Sequence, residues 1–125
     1  MANDRNHEFV AIVDDDELVR SALEGFLRAA GFRARAFASA EEFLESGEQY
    51  QTACLIVDVR MPGMSGLELQ ARLNADRVNI PTIFITAHGD TRTRMQALNA
   101  GAIEFLAKPF DHDALLANVR SALNH

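Results

Sequence analysis

The stretch Ala53-Cys54-Leu55-Ile56-Val57-Asp58-Val59-Arg60-Met61-Pro62-Gly63-Met64-Ser65-Gly66-Leu67-Glu68-Leu69 decides the fold. Its first five residues are apolar without a break and carry β-branched side chains, which is how a strand buried on both faces of a parallel sheet reads. Further on, Ser65 with Glu68 three positions later forms a capping box, opening a helix through Leu69 and Leu73. One strand, one connection and one helix follow in order, and Asp58 stands where the strand ends.

The same unit recurs on both sides. Phe9 to Val13 and Thr82 to Thr86 are also short, continuous apolar runs. Residues 33–37 and 102–106 are more polar, as suits edge strands. Helical spacing joins Leu18, Val19, Ala22, Leu23, Phe26, Leu27 and Ala30, with Gly31 as the stop. Ser39 with Glu42 predicts a second capping box and a short helix ending near Gly47. Thr91 to Ala100 reads as a fourth helix, and Asp111 caps a fifth whose apolar face is Leu115, Leu116, Val119 and Leu123. Five strand–helix alternations with short connections imply an α/β doubly wound sheet in one domain spanning 1–125, with about residues 1–7 expected as a flexible lead.

Composition agrees with such a domain and narrows its work. The 125 residues are 48% hydrophobic and 24% charged, enough for a core. No apolar run reaches the length of a membrane span and the start lacks a signal peptide, so a cytoplasmic location without membrane contact is expected. The net charge of −6 argues against direct nucleic-acid binding by this segment. The single cysteine, Cys54, allows no disulfide framework and reads as a small buried hydrophobe.

In an open parallel sheet ligands gather at the carboxyl ends of the strands. The first strand runs into Asp14-Asp15-Asp16-Glu17, the third into Asp58, the fourth ends at Thr86, and the fifth leads to Lys108-Pro109. Taken singly these have plain structural uses: Asp16 as a helix N-cap, Thr86 as a strand terminus, Lys-Pro as a turn. Together they put three carboxylates, a hydroxyl and an ammonium on one rim. Crowded carboxylates need a cation, and Mg²⁺ (or Mn²⁺) with oxygen ligands fits. A carboxylate so placed can act as a nucleophile towards phosphorus, with Lys108 and Thr86 left to bind phosphoryl oxygens.

These residues resemble a known family. Val13-Asp14-Asp15-Asp16, Val57 to Gly66, Thr86-Ala87 and Lys108-Pro109-Phe110 are similar to the signature of response-regulator receiver domains from bacterial two-component systems. The resemblance covers about Glu8 to Leu123 and implies a flavodoxin-like (βα)5 fold with strand order 2-1-3-4-5. It implies that Asp58 accepts a phosphoryl group from a sensor histidine kinase or a small phosphodonor. Asp14, Asp15, Asp58 and the Arg60 backbone carbonyl would hold the metal. Lys108 would bind the phosphoryl group, before a cis bond to Pro109. Thr86 and Phe105 would form a switch pair, the ring turning inward on phosphorylation. Arg60 and His88 would flank the path of attacking water and tune the lifetime of the phosphoryl group.

The implied readout is the face of the fourth helix, fifth strand and fifth helix, often through a homodimer. The segment Thr86 to Asp90 with Lys108-Pro109-Phe110 looks most like regulators carrying a LuxR-type helix-turn-helix output domain. Such a DNA-binding domain would sit in a longer parent chain and control transcription; a stand-alone receiver is the other expectation. The chain would be no turnover enzyme, catalysing only its own phosphorylation and slow dephosphorylation. A haloacid-dehalogenase-like phosphatase would need an acid two residues after the nucleophile, where this chain has Arg60. A dinucleotide binder would want glycines after the first strand, and a serine hydrolase a Gly-x-Ser-x-Gly elbow. A phosphorylation-independent, protein-binding receiver stays open at this level.

Overall fold

The computed structural model describes residues 8–87, 91–108 and 111–123. The lead 1–7 therefore lies outside the described residues, as do His88 to Asp90, Pro109 and Phe110. Five parallel strands form one sheet: β1 (Phe9–Val13), β2 (Ala34–Phe37), β3 (Thr52–Asp58), β4 (Thr82–Thr86) and β5 (Glu104–Ala107). Their spatial order is β2-β1-β3-β4-β5, the flavodoxin-like order. The polar strands β2 and β5 take the two edges, while β1, β3 and β4 lie inside.

Five helices cover the sheet: α1 (Glu17–Ala29), α2 (Ala40–Ser46), α3 (Gly66–Ala75), α4 (Thr91–Asn99) and α5 (His112–Leu123). Successive strand residues face opposite ways, so each inner strand feeds two cores. Ala11, Val13, Leu55, Val57 and Phe84 pack with Phe43, Leu69, Leu73 and Ala97 of α2, α3 and α4. Val10, Ile12, Ile56, Ile83 and Ile85 pack with Leu23, Leu27, Leu115 and Val119 of α1 and α5. Cys54 joins this second core and is fully buried. Among the described residues no helix is long and apolar enough to cross a membrane.

Local chemistry explains most boundaries. Asp16 caps α1 by accepting from the amides of Leu18 and Val19, and Gly31 follows the helix at φ 98°. Ser65 and Glu68 form the complete capping box of α3. Asp111 accepts from the Asp113 amide at the start of α5. The box expected at α2 forms only in half. Ser39 accepts from the Glu42 amide, but the Glu42 carboxylate reaches one residue further back, to the Ala38 amide at 3.0 Å. The fifth strand begins at Glu104 rather than Ala102, because the Ala102 amide still bonds the Ala97 carbonyl behind α4. A 3₁₀ turn at Glu48–Gln51, with no apolar period to announce it, precedes β3.

Candidate phosphoryl and metal site

Strand register assembles the site. Val13 pairs with Val57, so the residues after them, Asp14 and Asp58, come side by side. Asp58 pairs with Ile85, placing Thr86 one step beyond. Thr86 pairs with Ala107, which puts Lys108 one step past that. Four positions far apart in the chain thus meet at the carboxyl edge.

The side chains converge as the register requires. Ligand atoms of Asp14, Asp15 and Asp58 all lie within 4.8 Å of one another. Asp14 and Asp58 are buried and Asp15 is exposed, so the cluster opens to solvent on one side. The Lys108 ammonium lies between the two buried carboxylates, donating to Asp14 Oδ2 at 3.1 Å and to Asp58 Oδ2 at 3.4 Å. Asp14 Oδ1 accepts from the Asp16 amide at 2.8 Å, and the Arg20 guanidinium donates to the Asp14 carbonyl at 2.8 Å. The Arg60 amide donates to Asp58 Oδ1 at 3.1 Å, while the Arg60 side chain is exposed at the rim.

Burial sets the electrostatics of Asp58. Loss of water pushes the Asp58 carboxyl above the usual carboxylate range, and the charge of Asp14 adds to this. The Arg60 amide and the Lys108 ammonium pull the other way without cancelling the rise. Burial by itself would lower Lys108, but Asp14 and Asp58 outweigh it and hold the ammonium above its ordinary value. Lys108 therefore stays charged at neutral pH. The donor set is all carboxylate oxygen, with no sulfur or imidazole, which suits a hard divalent cation.

Thr86 and Phe105, expected as a switch pair, also have places. Thr86 is buried at the end of β4. Phe105 is buried too, packed in the core that holds Phe84 and Ala97, so its ring occupies an inward position here. His88 and the Lys108–Pro109 bond fall outside the described residues.

Two features of the site escape sequence reading. Gly66, first residue of α3, lies so close to Asp58 that a Cβ there would stand 2.3 Å from the Asp58 carbonyl oxygen. Glu41 of α2 accepts from the Met64 amide at 2.9 Å, across 23 residues. Neither contact has a local spacing to reveal it.

With this geometry in view, comparison with known proteins is decisive. The profile of the family described as response regulator receiver domain matches residues 10–120. The chain belongs to that family. The receiver is 46% identical over 114 residues to the response regulator protein TmoT of Ectopseudomonas mendocina, covering 91% of this chain and 52% of that one. It is 42% identical to the transcriptional regulatory protein FixJ of Azorhizobium caulinodans, covering 91% and 54%. The receiver thus spans about half the length of these curated relatives. Among solved structures, the response regulator StyR matches with TM-score 0.85 and 50% identity over 92% of this chain and 58% of that one. The structure titled FixJ-N matches with TM-score 0.86 and 38% identity, covering 100% and 97%.

Proposed function

We propose that this receiver is a phosphorylation-dependent switch whose acceptor is Asp58. The observation that carries the reading is one buried carboxylate flanked by two further carboxylates and contacted by a lysine ammonium. An Asp58 carboxylate oxygen would attack phosphorus in the phosphohistidine of a sensor kinase, or in a small acyl phosphate. The P–O bond to Asp58 forms as the bond from phosphorus to the donor breaks, and the donor leaves with that electron pair. Asp14, Asp15, Asp58 and the Arg60 carbonyl would hold Mg²⁺ or Mn²⁺, which when bound neutralises charge building on the phosphoryl oxygens.

Lys108 already touches Asp58, so a small shift brings its ammonium onto a phosphoryl oxygen. Its raised pKa keeps the proton there for that contact. Thr86, one register step away, would donate its hydroxyl to another oxygen, and Phe105, whose ring already lies inward here, would be kept in that position. Arg60, exposed beside the acceptor, and His88 would govern water access and the phosphoryl lifetime. The chemistry is a single turnover on the chain's own carboxylate, so the receiver is a switch and no turnover enzyme. The output is a population shift on the α4–β5–α5 face, through homodimerisation, to a DNA-binding output domain in a longer parent chain. The name of FixJ as a transcriptional regulatory protein supports that assignment.

Intact-mass spectrometry after incubation with Mg²⁺ and acetyl phosphate tests the reading. One added phosphoryl group is expected, dependent on Mg²⁺ and absent from Asp58→Asn. No adduct from acetyl phosphate or a cognate kinase would instead make this a phosphorylation-independent, protein-binding receiver.

A further inference from the structure

The loop between β3 and α3 carries the Arg60 backbone, on which the acceptor depends. Its two ends are held by the sheet and the helix. The Val59 amide donates to the Ile85 carbonyl at 3.0 Å, and the Gly66 amide to the Val59 carbonyl at 2.9 Å. Ser65 is fixed by its box with Glu68. Between them, Met61 is buried in the core shared with Ala40 and Phe43 of α2. For the middle of the loop, the long-range polar contact among the described residues comes from Glu41, in the first turn of α2.

That contact is shaped on both sides. Gly63 takes φ 76°, a conformation that L side chains rarely adopt. A Cβ at Gly63 would stand 2.6 Å from Glu41 Oε2, so the missing side chain leaves the space the carboxylate fills. Glu41 then accepts from the next amide along the loop, that of Met64. Helix α2 is held in turn by the Ser39 cap, and the neighbouring Glu42 is spent on Ala38. Glu41 is therefore the acidic residue of this turn left to face the loop.

We infer that Glu41 is a positioning residue, tethering the β3–α3 loop from α2 so that the Arg60 backbone keeps its place against Asp58. This rests on the proposed Mg²⁺ and phosphoryl site and adds to it a residue that touches neither. The tether acts through an accepted hydrogen bond, so an amide in its place serves where a methyl does not.

The test uses the whole chain with Glu41→Ala, Glu41→Gln and Gly63→Ala, reading Mg²⁺ affinity by calorimetry and the Met64 amide by hydrogen exchange. Glu41→Ala should weaken Mg²⁺ about threefold to tenfold, less than the loss of a group bonded directly to a ligand. It should also expose the Met64 amide to exchange, and Glu41→Gln should restore most of both. Gly63→Ala should displace the carboxylate and repeat the effect, and on top of Glu41→Ala it should add only the strain of an L residue at φ 76°, since both remove the same contact. Unchanged Mg²⁺ affinity and exchange in Glu41→Ala would overturn the inference. So would equal weakening by Ala and Gln, which would make charge rather than the hydrogen bond the cause. If the unsubstituted chain bound no Mg²⁺, the proposed function would fall, while Met64 exchange would still read the tether itself.

Discussion

Replacing Gly66 with alanine sets two physical effects against each other. Glycine is the poorest helix former after proline, so Gly→Ala in an exposed helix gains up to about 1 kcal/mol. At the first position of α3 that gain is partial. Against it stands the closeness of the Asp58 backbone, since a Cβ would lie 2.3 Å from the Asp58 carbonyl oxygen and 3.1 Å from both its carbon and Phe84 Cε1. Ordinary contact begins near 3.4 Å, so either the first turn of α3 or the end of β3 must move by about 1 Å. Neither is free to move, because the Asp58 carbonyl belongs to the central strand and Phe84 is fully buried. Overpacking of this kind costs about 1–3 kcal/mol, more than the propensity gain, so the sign is destabilising.

For a chain of this length that corresponds to a fall in Tm of about 3–12 °C. Urea and thermal unfolding of Gly66→Ala beside the unsubstituted protein would measure it. Because the displaced atoms are those of Asp58, acetyl phosphate labelling should slow as well, even where the variant is fully folded. A variant equal to or more stable than its parent would refute the reasoning, showing that propensity outweighs packing at this position.

Other outcomes follow from the same geometry. The Cys54 thiol, pushed up to about 12 by burial, should resist a thiol reagent at pH 8 and react once when urea is added; labelling of the native protein would contradict its burial. Mg²⁺ at a hundred times its Kd should stabilise the fold by about 2.7 kcal/mol over the protein in chelator, and Asp14→Ala should abolish most of this shift in a thermal melt. Asp58, whose folded pKa is raised, binds its proton more tightly when folded, so its ionisation removes stability as pH rises from the ordinary carboxylate value through the folded one. Asp58→Asn should therefore raise Tm at neutral pH without Mg²⁺, an advantage that shrinks below the ordinary carboxylate value; an equal gain at every pH would show that charge is not its source.

The sheet was legible because its inner strands are buried twice over. Ile12, Ile56 and Ile83 face one core while Val13, Val57 and Phe84 face the other, and that demand writes unbroken apolar runs into the chain. Asp14, Asp58, Thr86 and Lys108 were legible for a related reason: each stands at or just past the carboxyl end of a strand, where parallel register brings them together. The edge strand β5 was misplaced by two residues, since a half-solvated strand of four residues carries little pattern. Glu41 was not legible at all, and Gly66 only as part of the signature stretch, without its close approach to Asp58. Their contacts depend on how α2 and α3 sit against the end of β3, which no local spacing encodes. The half-formed box at α2 has a similar origin, for Ser-x-x-Glu fixes the serine's bond but leaves a longer side chain a choice of amides.

The charge balance of the site explains why such an arrangement suits a switch. Asp14, Asp15 and Asp58 bring three negative charges and Lys108 returns one, leaving a deficit equal to a divalent cation. Lys108 holds the two buried carboxylates together, yet burial, with the Asp14 charge adding to it, still keeps Asp58 above its ordinary pKa. On the proposed reading, phosphorylation replaces the Asp58 carboxylate with a group of about −1.5 to −2. The site then holds more negative charge than Lys108 and one divalent ion offset together. A further donor must be recruited, and the register places the Thr86 hydroxyl one step beyond Asp58. Thr86 lies at the end of β4, beside the edge strand that carries Phe105, so recruiting it would act on an edge of the sheet. On the proposed reading, a charge surplus at the centre would thereby become a packing change at the edge.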